Sequence, residues 1–459
     1  MMKILITLLA ILLGLNMGIF KNNVYAQSEE LDLKAKSAMV VDTADGQILY
    51  ESNSDEVRAI ASLTKMIVHY IVLEEINQGA LSWDEPVEVS PFLSELSTDF
   101  ILANVPLSSD ETYTVKELFD AMSIYSANAA TIALAEHIEG SEEAFVHRMR
   151  EQVADFGIED AHIVNATGLH NSYMRGEYIS ESKENDENLM SARSVMIIAA
   201  RLLEDFPEIL ETAEEPLLSF QTTTGPFVVQ NWNKMLPGLP LAYPGVRGLK
   251  TGTTEAAGQS FSGYAENYPN DSGPAEPNQS EESNDQSQKI NQPRRSLLTV
   301  VLHAGGIDNP DDKDRRYHET AALFDYGFDE WQHTTLFSND QFNEENKSVS
   351  IINGQENTTT LVAESDIDAL VSLEELEKHQ VEVKYHPDLV NKDGELQAPV
   401  YEGEVVGEAV VTFEEALEFL DQEPVEEMTV PIYSTKTIER DNWIIRQWDK
   451  ITRWLNQWF

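Results

Sequence analysis

The hexapeptide ASLTKM, residues 61–66, places a serine and a lysine three positions apart at the start of an apolar stretch. If the stretch is helical, Ser62 and Lys65 share one face. Serine becomes a nucleophile when a base removes its proton, and lysine is such a base when burial or a nearby cation lowers its pKa. The following segment MIVHYIVLEEI (66–76) supplies apolar burial. The hexapeptide predicts either a reactive serine with its own base or an ordinary polar helix start.

The S-x-x-K spacing alone is weak evidence, because a chain of 459 residues is expected to contain such a pair by chance. A second copy, Ser180 to Lys183, lies in the polar stretch SESKENDEN (180–188), and we interpret it as fortuitous. The pair Ser62 and Lys65 therefore indicates a function only in combination with motifs elsewhere in the chain.

Two further short motifs follow in the sequence. Ser126-Ala-Asn128 lies between two predicted helices, where a hydroxyl and an amide can face one cleft, although it is also typical of an ordinary helix cap. Lys250-Thr-Gly252 lies in a predicted strand and supplies a cation, a hydroxyl and a glycine that permits close approach of a ligand backbone. This combination suits an extended peptide that ends in a carboxylate and lies along the strand.

S-x-x-K, S-x-N and K-T-G in this order are the motif set of the penicillin-recognising serine enzymes. The sequence resembles the serine D-alanyl-D-alanine carboxypeptidases, the low-molecular-weight penicillin-binding proteins of peptidase family S11. The resemblance covers nearly the whole chain. It extends to the stretches NATGLH (165–170), MSARSVMIIAARLLEDFPE (190–208), NWNKML (231–236) and DRRYHETAALFDYGF (314–328).

The resemblance implies catalytic roles for the first two motifs. Ser62 attacks the carbonyl between two D-alanines and becomes acylated, with Lys65 as its general base. Ser126 relays a proton to the leaving D-alanine, and Asn128 hydrogen-bonds the substrate backbone and orients Lys65. The backbone N–H groups of Ser62 and Thr253 would form the oxyanion hole.

The resemblance also implies the residues that bind substrate. Lys250 provides positive potential near the terminal carboxylate, Thr251 hydrogen-bonds it, and Gly252 leaves room for the substrate backbone. Arg316 occupies a position where the family often has an arginine that serves the carboxylate, and its neighbour Arg315 is the alternative.

The implied function is removal of the terminal D-alanine from peptidoglycan pentapeptide stems, in cell wall biogenesis and cell shape, with β-lactams as covalent inhibitors. No cofactor and no metal are implied. The sequence contains no cysteine, and its 10 histidines do not show an H-E-x-x-H spacing.

The chain departs from the family pattern at two places. Arg247 stands where relatives commonly have an aspartate, and we expect it to add a cation beside the site. The polar segment 171–187, after NATGLH, enlarges a loop that lines the cleft in the family, so substrate preference could differ there.

Two rival functions remain open. A β-lactamase of the same fold would need a deacylating glutamate, and no E-x-x-L-N motif lies between Asn128 and Lys250. A non-catalytic wall-binding protein of this fold would not need Ser62 and Lys65 intact.

The charge composition limits the kinds of molecule that the protein can bind. The 80 acidic and 31 basic residues give a formal net charge of -49, which repels nucleic acid and favours an extracellular setting of high salt or high pH.

Residues 1–26 are typical of a signal peptide, with Lys3, a short apolar core and a V-Y-A cleavage site; an uncleaved N-terminal anchor is the alternative. Either way we expect export to the outer face of the cytoplasmic membrane or the cell wall.

Periodicity predicts the domain organisation. We expect an α+β catalytic domain at 27–337, of the penicillin-binding and β-lactamase-like type, with an antiparallel sheet, a helical cluster and pairing between its first and last strands. Residues 265–295 are rich in Pro, Asn, Ser, Glu and Gln and predict a disordered insertion. Short alternating strands predict a β-rich domain at 338–434, acting as a spacer or platform.

The C-terminal segment 435–459 predicts an amphipathic helix. Four tryptophans share its apolar face, and the opposite face carries Arg446, Lys450 and Arg453. This pattern favours an interfacial membrane anchor on anionic lipid, and a helix docked on the protein's own core is the alternative.

Overall fold

The computed structural model describes residues 31–99, 101–267, 294–306, 309 and 313–456. The described residues from Leu33 onward form one compact unit. The predicted signal peptide and most of the predicted insertion lie outside the described residues. Residues 265–267 and 295, which we included in that insertion, are instead the ends of two paired strands.

The helices and strands have the following bounds. The helices are α1 Lys65–Gln78, α2 Pro91–Ser97, α3 Val115–Tyr125, α4 Asn128–Glu139, α5 Glu142–Asp155, α6 Ala192–Asp205, α7 Ile209–Ala213, α8 Arg315–Asp329, α9 Asn339–Glu345 and α10 Trp443–Asn456. The strands are β1 Ser37–Asp42, β2 Ile48–Ser52, β3 Arg58–Ala59, β4 Pro86–Glu88, β5 Thr112–Thr114, β6 Leu189–Met190, β7 Leu217–Thr222, β8 Gly225–Gln230, β9 Val246–Thr254, β10 Gly258–Asn267, β11 Arg295–Leu302, β12 Trp331–Phe337, β13 Val349–Ser350, β14 Thr358–Thr359, β15 Leu361–Ala363, β16 Ile367–Ser372, β17 Gln380–Tyr385, β18 Val405–Leu417 and β19 Val425–Ser434.

The first domain is built on a five-stranded antiparallel sheet in the order β2-β1-β11-β10-β9. β1 pairs with β11, as predicted for the first and last strands of the domain. Both faces are covered, because alternate residues of β1 enter different layers: Met39 and Val41 join the core of the helical cluster, whereas Val40 faces Gly327 of α8. The sheet therefore holds β9, with its K-T-G motif, as an edge strand.

Local sequence signals mark the ends of several helices in the cluster. α1 ends at Gly79, which adopts the left-handed conformation with φ 73°. A capping box between Thr114 and Glu117 opens α3, as the T-x-x-E pattern predicts. The amphipathic pattern of residues 190–211 predicts one helix, and this prediction is wrong. Pro207 forces Phe206 out of the helical region, so α6 and α7 are separate.

The second domain is centred on a four-stranded antiparallel sheet in the order β15-β19-β18-β17. Its core contains Leu361, Val371, Val411 and Ile432. Two features differ from the prediction. The short helix α9 interrupts the strands, and β12 pairs with β16 of this domain, so the domain begins near residue 331 and not at 338.

The alternating stretch AMVVDTADGQILY, residues 38–50, predicts a β-hairpin that turns at Asp45-Gly46, and β1 and β2 confirm it. This hairpin also contacts the second domain. Its turn residue Gly46 accepts a hydrogen bond from Leu420 N at 3.0 Å, and Ile48 N donates to Glu418 O at 2.8 Å. The Gln47 side chain donates to Leu370 O at 3.0 Å and is itself buried. These hydrogen bonds join the two domains at the edge of the five-stranded sheet opposite β9.

The C-terminal helix α10 begins at Trp443, eight residues later than the predicted segment. Among its side chains that the structure describes, the exposed apolar ones are Trp443, Ile444, Ile445, Ile451 and Leu455. None of the helices in the described part of the chain combines the length and apolar content needed to span a bilayer.

Candidate active site

Ser62 lies in a tight 3₁₀ turn, Ala61–Thr64, that leads directly into α1. Ala61 has φ 47°, a left-handed conformation that is unfavourable for a residue with a β-carbon. The turn directs the half-buried Ser62 toward a cleft, while Leu63 and Thr64 are buried beneath it. The strained backbone is thus located next to the candidate nucleophile.

Lys65 is fully buried and connects the motifs. Its Nζ donates to Ser62 Oγ at 3.0 Å, to Asn128 Oδ1 at 2.8 Å and to the Thr167 carbonyl at 2.7 Å. Burial, reinforced by the positive charge of Lys250, holds the pKa of Lys65 well below its usual value. A neutral amine within hydrogen-bonding distance of a serine hydroxyl is suited to remove the hydroxyl proton.

Ser126 and Asn128 lie where α3 gives way to α4. Ser126 has φ 62° and ends α3 in the left-handed conformation, and Asn128 is the first residue of α4. The Asn128 amide is held by its donation to Ala103 O at 2.9 Å, so that its oxygen faces Lys65. The two residues therefore face the same cleft as Ser62.

Lys250 approaches Ser126 from the edge strand β9. Its Nζ donates to Ser126 Oγ at 2.9 Å, and the side chain is buried. Burial, with a smaller contribution from the Arg316 guanidinium, lowers the pKa of Lys250 to about 7. Lys250 and Lys65 thus form two serine–lysine pairs whose serines both line one cleft.

Gly252 lies where β9 meets the turn that carries Ser62. A β-carbon there would lie 2.8 Å from Ile60 O and 3.3 Å from Leu63 N, in the turn that carries Ser62. The glycine therefore allows β9 to pack directly against the nucleophile turn. This contact places the neighbouring Thr253 close to the Ser62 turn.

Arg316, not Arg315, reaches the site from α8. Its guanidinium donates to Gly252 O at 2.9 Å, to Ser260 O at 3.0 Å and to Thr253 Oγ1 at 2.8 Å. Burial lowers its pKa from the ordinary value, although an arginine remains charged. The sequence resemblance did not distinguish Arg315 from Arg316. The structure does, because it is Arg316 whose position on α8 brings the guanidinium to β9.

The cleft has a volume of about 340 Å³. Its lining residues are Ser62, Ile101, Ala103, Ser126, Trp232, Thr251, Thr253, Arg316 and Tyr317. They include the candidate nucleophile Ser62, the candidate proton carrier Ser126 and, at the cationic end, Arg316. The second S-x-x-K copy lies outside it, since Ser180 and Lys183 are exposed and Ser180 bonds to Glu143.

The NATGLH loop is a part of the site that motif reasoning missed. Asn165 Oδ1 accepts from Thr167 N, Thr167 Oγ1 and Gly168 N, which fixes the carbonyl that binds Lys65. Asn188 closes the arrangement by donating to Thr64 Oγ1 at 3.0 Å and to Asn165 O at 2.9 Å. The sequence signal for this part of the site is an asparagine followed by a turn of small residues. The sequence does not indicate that Asn188 is its partner in the fold.

Arg247 does not add a free cation beside the site. Its guanidinium donates to Glu214 at 2.6 Å and to the buried Glu266 at 3.2 Å, and these carboxylates raise the pKa of Arg247. Arg247 is not among the residues that line the cleft. The expected effect on the site is therefore wrong, because the charge is compensated locally.

The enlarged segment 171–187 contacts the site at one end. Thr254 at the end of β9 donates to Glu187 Oε2 at 3.0 Å. Farther along, Arg175 forms ion pairs with Glu95 and Asp99. The segment thus links β9 to the loop region around α2.

Comparison with known families gives two matches along the chain. The model for the D-alanyl-D-alanine carboxypeptidase family matches residues 23–270. The model for the penicillin-binding protein 5 C-terminal domain matches residues 331–440.

Individual relatives agree with these matches. D-alanyl-D-alanine carboxypeptidase DacF of Bacillus subtilis is 31% identical over 54% of this chain, which spans 59% of the relative's length. DacA of Haemophilus influenzae is 25% identical over 82% of this chain and 81% of its own. The solved structure of a peptidoglycan synthesis regulatory factor, PBP3, from Streptococcus pneumoniae is 30% identical with a TM-score of 0.61, covering 89% of this chain and 100% of that one. With a cleft in which Lys65 links Ser62 to Asn128 and Lys250 contacts Ser126, the chain belongs to the D-alanyl-D-alanine carboxypeptidase family.

Proposed function

We propose that the protein is a serine carboxypeptidase that removes the terminal D-alanine from peptidoglycan pentapeptide stems through an acyl-enzyme on Ser62. The observation that carries the proposal is the fully buried Lys65, whose Nζ lies 3.0 Å from Ser62 Oγ. A buried lysine with a lowered pKa is an effective base, and this one is paired with a cleft-facing hydroxyl.

Acylation begins with the transfer of the Ser62 proton to the neutral Lys65 amine. Ser62 Oγ then attacks the carbonyl carbon between the two D-alanines, and the carbonyl oxygen becomes an oxyanion. The backbone N–H groups of Ser62 and Thr253 would stabilise it; the packing of Gly252 against Leu63 supports this assignment. Asn128 holds Lys65 and offers its amide to the substrate backbone.

Collapse of the tetrahedral intermediate breaks the C–N bond and requires a proton on the leaving nitrogen. Ser126 supplies that proton and regains the one that Lys65 took from Ser62, so Lys65 is neutral again. The charged Lys250 orients Ser126 through their 2.9 Å hydrogen bond. Free D-alanine leaves, and Ser62 carries the remaining peptide as an ester. Water then attacks the ester carbon and gives a proton to Lys65, which passes it to Ser62 Oγ as the ester C–O bond breaks and the shortened peptide leaves.

The cationic end of the cleft supports binding of a terminal carboxylate. Thr251, Thr253 and Arg316 line this end, and Arg316 is held in place by two backbone carbonyls. The buried Lys250 adds positive charge next to it, where it donates to Ser126. A carboxypeptidase needs such an end, because it must recognise the free C-terminus of its substrate.

We propose further that β-lactams acylate Ser62 and leave slowly. A lactamase of the class A type relies on a glutamate to activate the deacylating water. The described residues that line the cleft include no carboxylate. This favours a long-lived penicilloyl adduct over rapid turnover.

Mass spectrometry of the intact protein after benzylpenicillin tests these statements. We expect one adduct, mapped to Ser62, that persists for minutes, and release of D-alanine from a pentapeptide ending in D-Ala-D-Ala. Ser62→Ala should abolish both, whereas Ser180→Ala, in the second S-x-x-K copy, should abolish neither. Antibiotic turnover on the scale of seconds would favour the lactamase, and D-alanine release by Ser62→Ala would refute the mechanism.

For the organisation of the chain, we propose an export leader at 1–26, a catalytic domain to about residue 330, a β-rich platform and a C-terminal membrane-surface helix. The exposed apolar residues Trp443, Ile444 and Ile451 of α10 support the last assignment. The platform would set the distance between cleft and membrane at the outer face.

Vesicle sedimentation of the mature chain tests the anchor. We expect binding to vesicles that contain anionic lipid, weaker binding to neutral ones, and loss of binding in the variant Trp443→Ser/Ile444→Ser. Tyr401→Ser/Val381→Ser removes two exposed apolar residues of the β-rich domain and should bind as the wild type does. Equal sedimentation of both variants would contradict the anchor.

A further inference from the structure

Two apolar side chains lie exposed on the cleft that contains Ser62. Ile101 is 78% exposed and Trp232 is 45% exposed, although both line the cleft. The polar residues at its inner end are much less accessible: Ser126 is 4% exposed and Arg316 is 9% exposed. The cleft therefore has a buried polar floor and an apolar mouth.

The orientation of Trp232 follows from its neighbours in sequence. Asn231 and Asn233 are both buried, and each accepts a backbone N–H two residues further along the loop. The asparagines thus hold the loop from inside, and Trp232 between them faces outward. Its indole contributes to the cleft and is not required to fill the core.

Trp232 is also held rigidly. Its Nε1 donates to Tyr125 O at 3.0 Å, and its ring stacks on Tyr125 with centroids 5.4 Å apart and planes 19° apart. Its carbonyl accepts from Tyr317 OH. A fixed aromatic surface loses little conformational entropy on binding a ligand, so contact with it is effective.

Given the function proposed above, on which this inference rests, the polar floor takes up the D-Ala-D-Ala end. The acyl part of the ligand, which precedes this pair, must then extend out of the cleft through its mouth. We propose that Ile101 and Trp232 form an apolar clamp that binds an extended aliphatic or aromatic group on the acyl side of the scissile bond. The clamp favours ligands with such a group over ligands with a short or anionic one.

Two penicillins that differ only by a phenyl ring test the clamp. Benzylpenicillin carries a phenylacetyl group, and 6-acetamidopenicillanic acid carries an acetyl group on the same nucleus. The measurement is the second-order acylation rate for each, followed by mass spectrometry of the mature protein. Partial burial of one ring should make the wild type react about five- to tenfold faster with benzylpenicillin.

Trp232→Ala and Ile101→Ser should reduce this preference to about twofold or less, while the rate with the acetyl compound changes little. Trp232→Phe keeps an aromatic surface and should retain most of the preference, and it also serves if Trp232→Ala folds poorly. Val228→Ala removes an exposed apolar group that does not line the cleft, and it is the matched control.

A preference that is unchanged in both Trp232→Ala and Ile101→Ser overturns the clamp. Failure of the proposed function looks different, because the wild type would then form no adduct with either penicillin. Equal rates of the wild type with both compounds would likewise refute the clamp while leaving the acyl-enzyme intact.

Discussion

Gly168 lies directly against Ala61, so that a β-carbon at position 168 would overlap the Ala61 carbonyl and come within 2.7 Å of Thr64 Oγ1. Gly168 also has φ +77°, and Ala61 has φ 47°. Since the adjacent Thr167 carbonyl binds Lys65, the loop positions the nucleophile turn and the base together. The strained turn is maintained by a packing contact that only glycine permits.

Gly168→Ala should therefore displace the turn. We expect a loss of about 100-fold in the benzylpenicillin acylation rate, because a displacement of about 1 Å in a nucleophile has effects of this size. The free energy of unfolding should fall by about 2–4 kcal/mol. Stopped-flow acylation and denaturant melts measure the two effects.

Gly140→Ala is the matched control. Gly140 also has a positive φ, of 80°, but a β-carbon there has no neighbour within 4 Å. It should lower stability by about 1 kcal/mol and leave the acylation rate unchanged. Equal kinetics in the two variants would contradict the positioning role of Gly168.

The two lysines predict a bell-shaped pH profile of kcat/KM. Activity requires neutral Lys65, whose pKa is lowered, so activity rises as pH increases through that value. It also requires charged Lys250, whose pKa is about 7, so activity falls as pH increases further. D-alanine release measured across pH gives both limbs.

Lys250→Arg separates the limbs. A guanidinium stays protonated, so the alkaline limb should move to higher pH while the acid limb remains, even if the maximal rate is lower. An alkaline limb at its original pH in this variant would show that another group is responsible.

His69 joins α1 to α3 beneath the site. It is buried, and its Nε2 lies 2.8 Å from Ser123 Oγ. Burial and the charges of Lys250 and Lys65 lower its pKa. A lowered pKa in the folded state means that the unfolded chain takes up a proton first, so this group decreases stability as pH falls below its ordinary value near 6.5.

The double variant His69→Phe/Ser123→Ala should lose less stability on acidification. Between about pH 6.5 and pH 5 the difference should reach at most about 1.4 kcal/mol per pH unit. Thermal melts at several pH values measure it, and His333→Phe, at an exposed position on β12, is the control. Parallel pH curves for the double variant and the wild type would contradict the assignment.

Arg247→Ala should affect stability and not chemistry. Removing the guanidinium takes a partner from the buried Glu266, which should lower the free energy of unfolding by about 2–3 kcal/mol. The acylation rate should stay within about twofold of wild type, measured with benzylpenicillin. A larger kinetic change would restore the expectation that Arg247 acts on the site.

Much of the fold follows from local sequence. The Asp45-Gly46 turn, the Thr114 capping box and the glycine that ends α1 are set by interactions within a few residues, so periodicity and turn chemistry predict them. The split between α6 and α7 was predictable in principle, because the proline at 207 constrains the residue before it. The pairing of β12 with the second domain was not, since it depends on partners 30 to 41 residues away in the sequence.

For the site, sequence alone determined the identities and order of the reactive residues, because S-x-x-K, S-x-N and K-T-G are short and local. Only the tertiary structure decided which groups surround them. The depressed lysine pKa values arise from burial, the choice of Arg316 over Arg315 from the face of α8, and the neutralisation of Arg247 from carboxylates 33 and 19 residues away. Burial and long-range electrostatics are properties of the packed chain, and short motifs do not contain them.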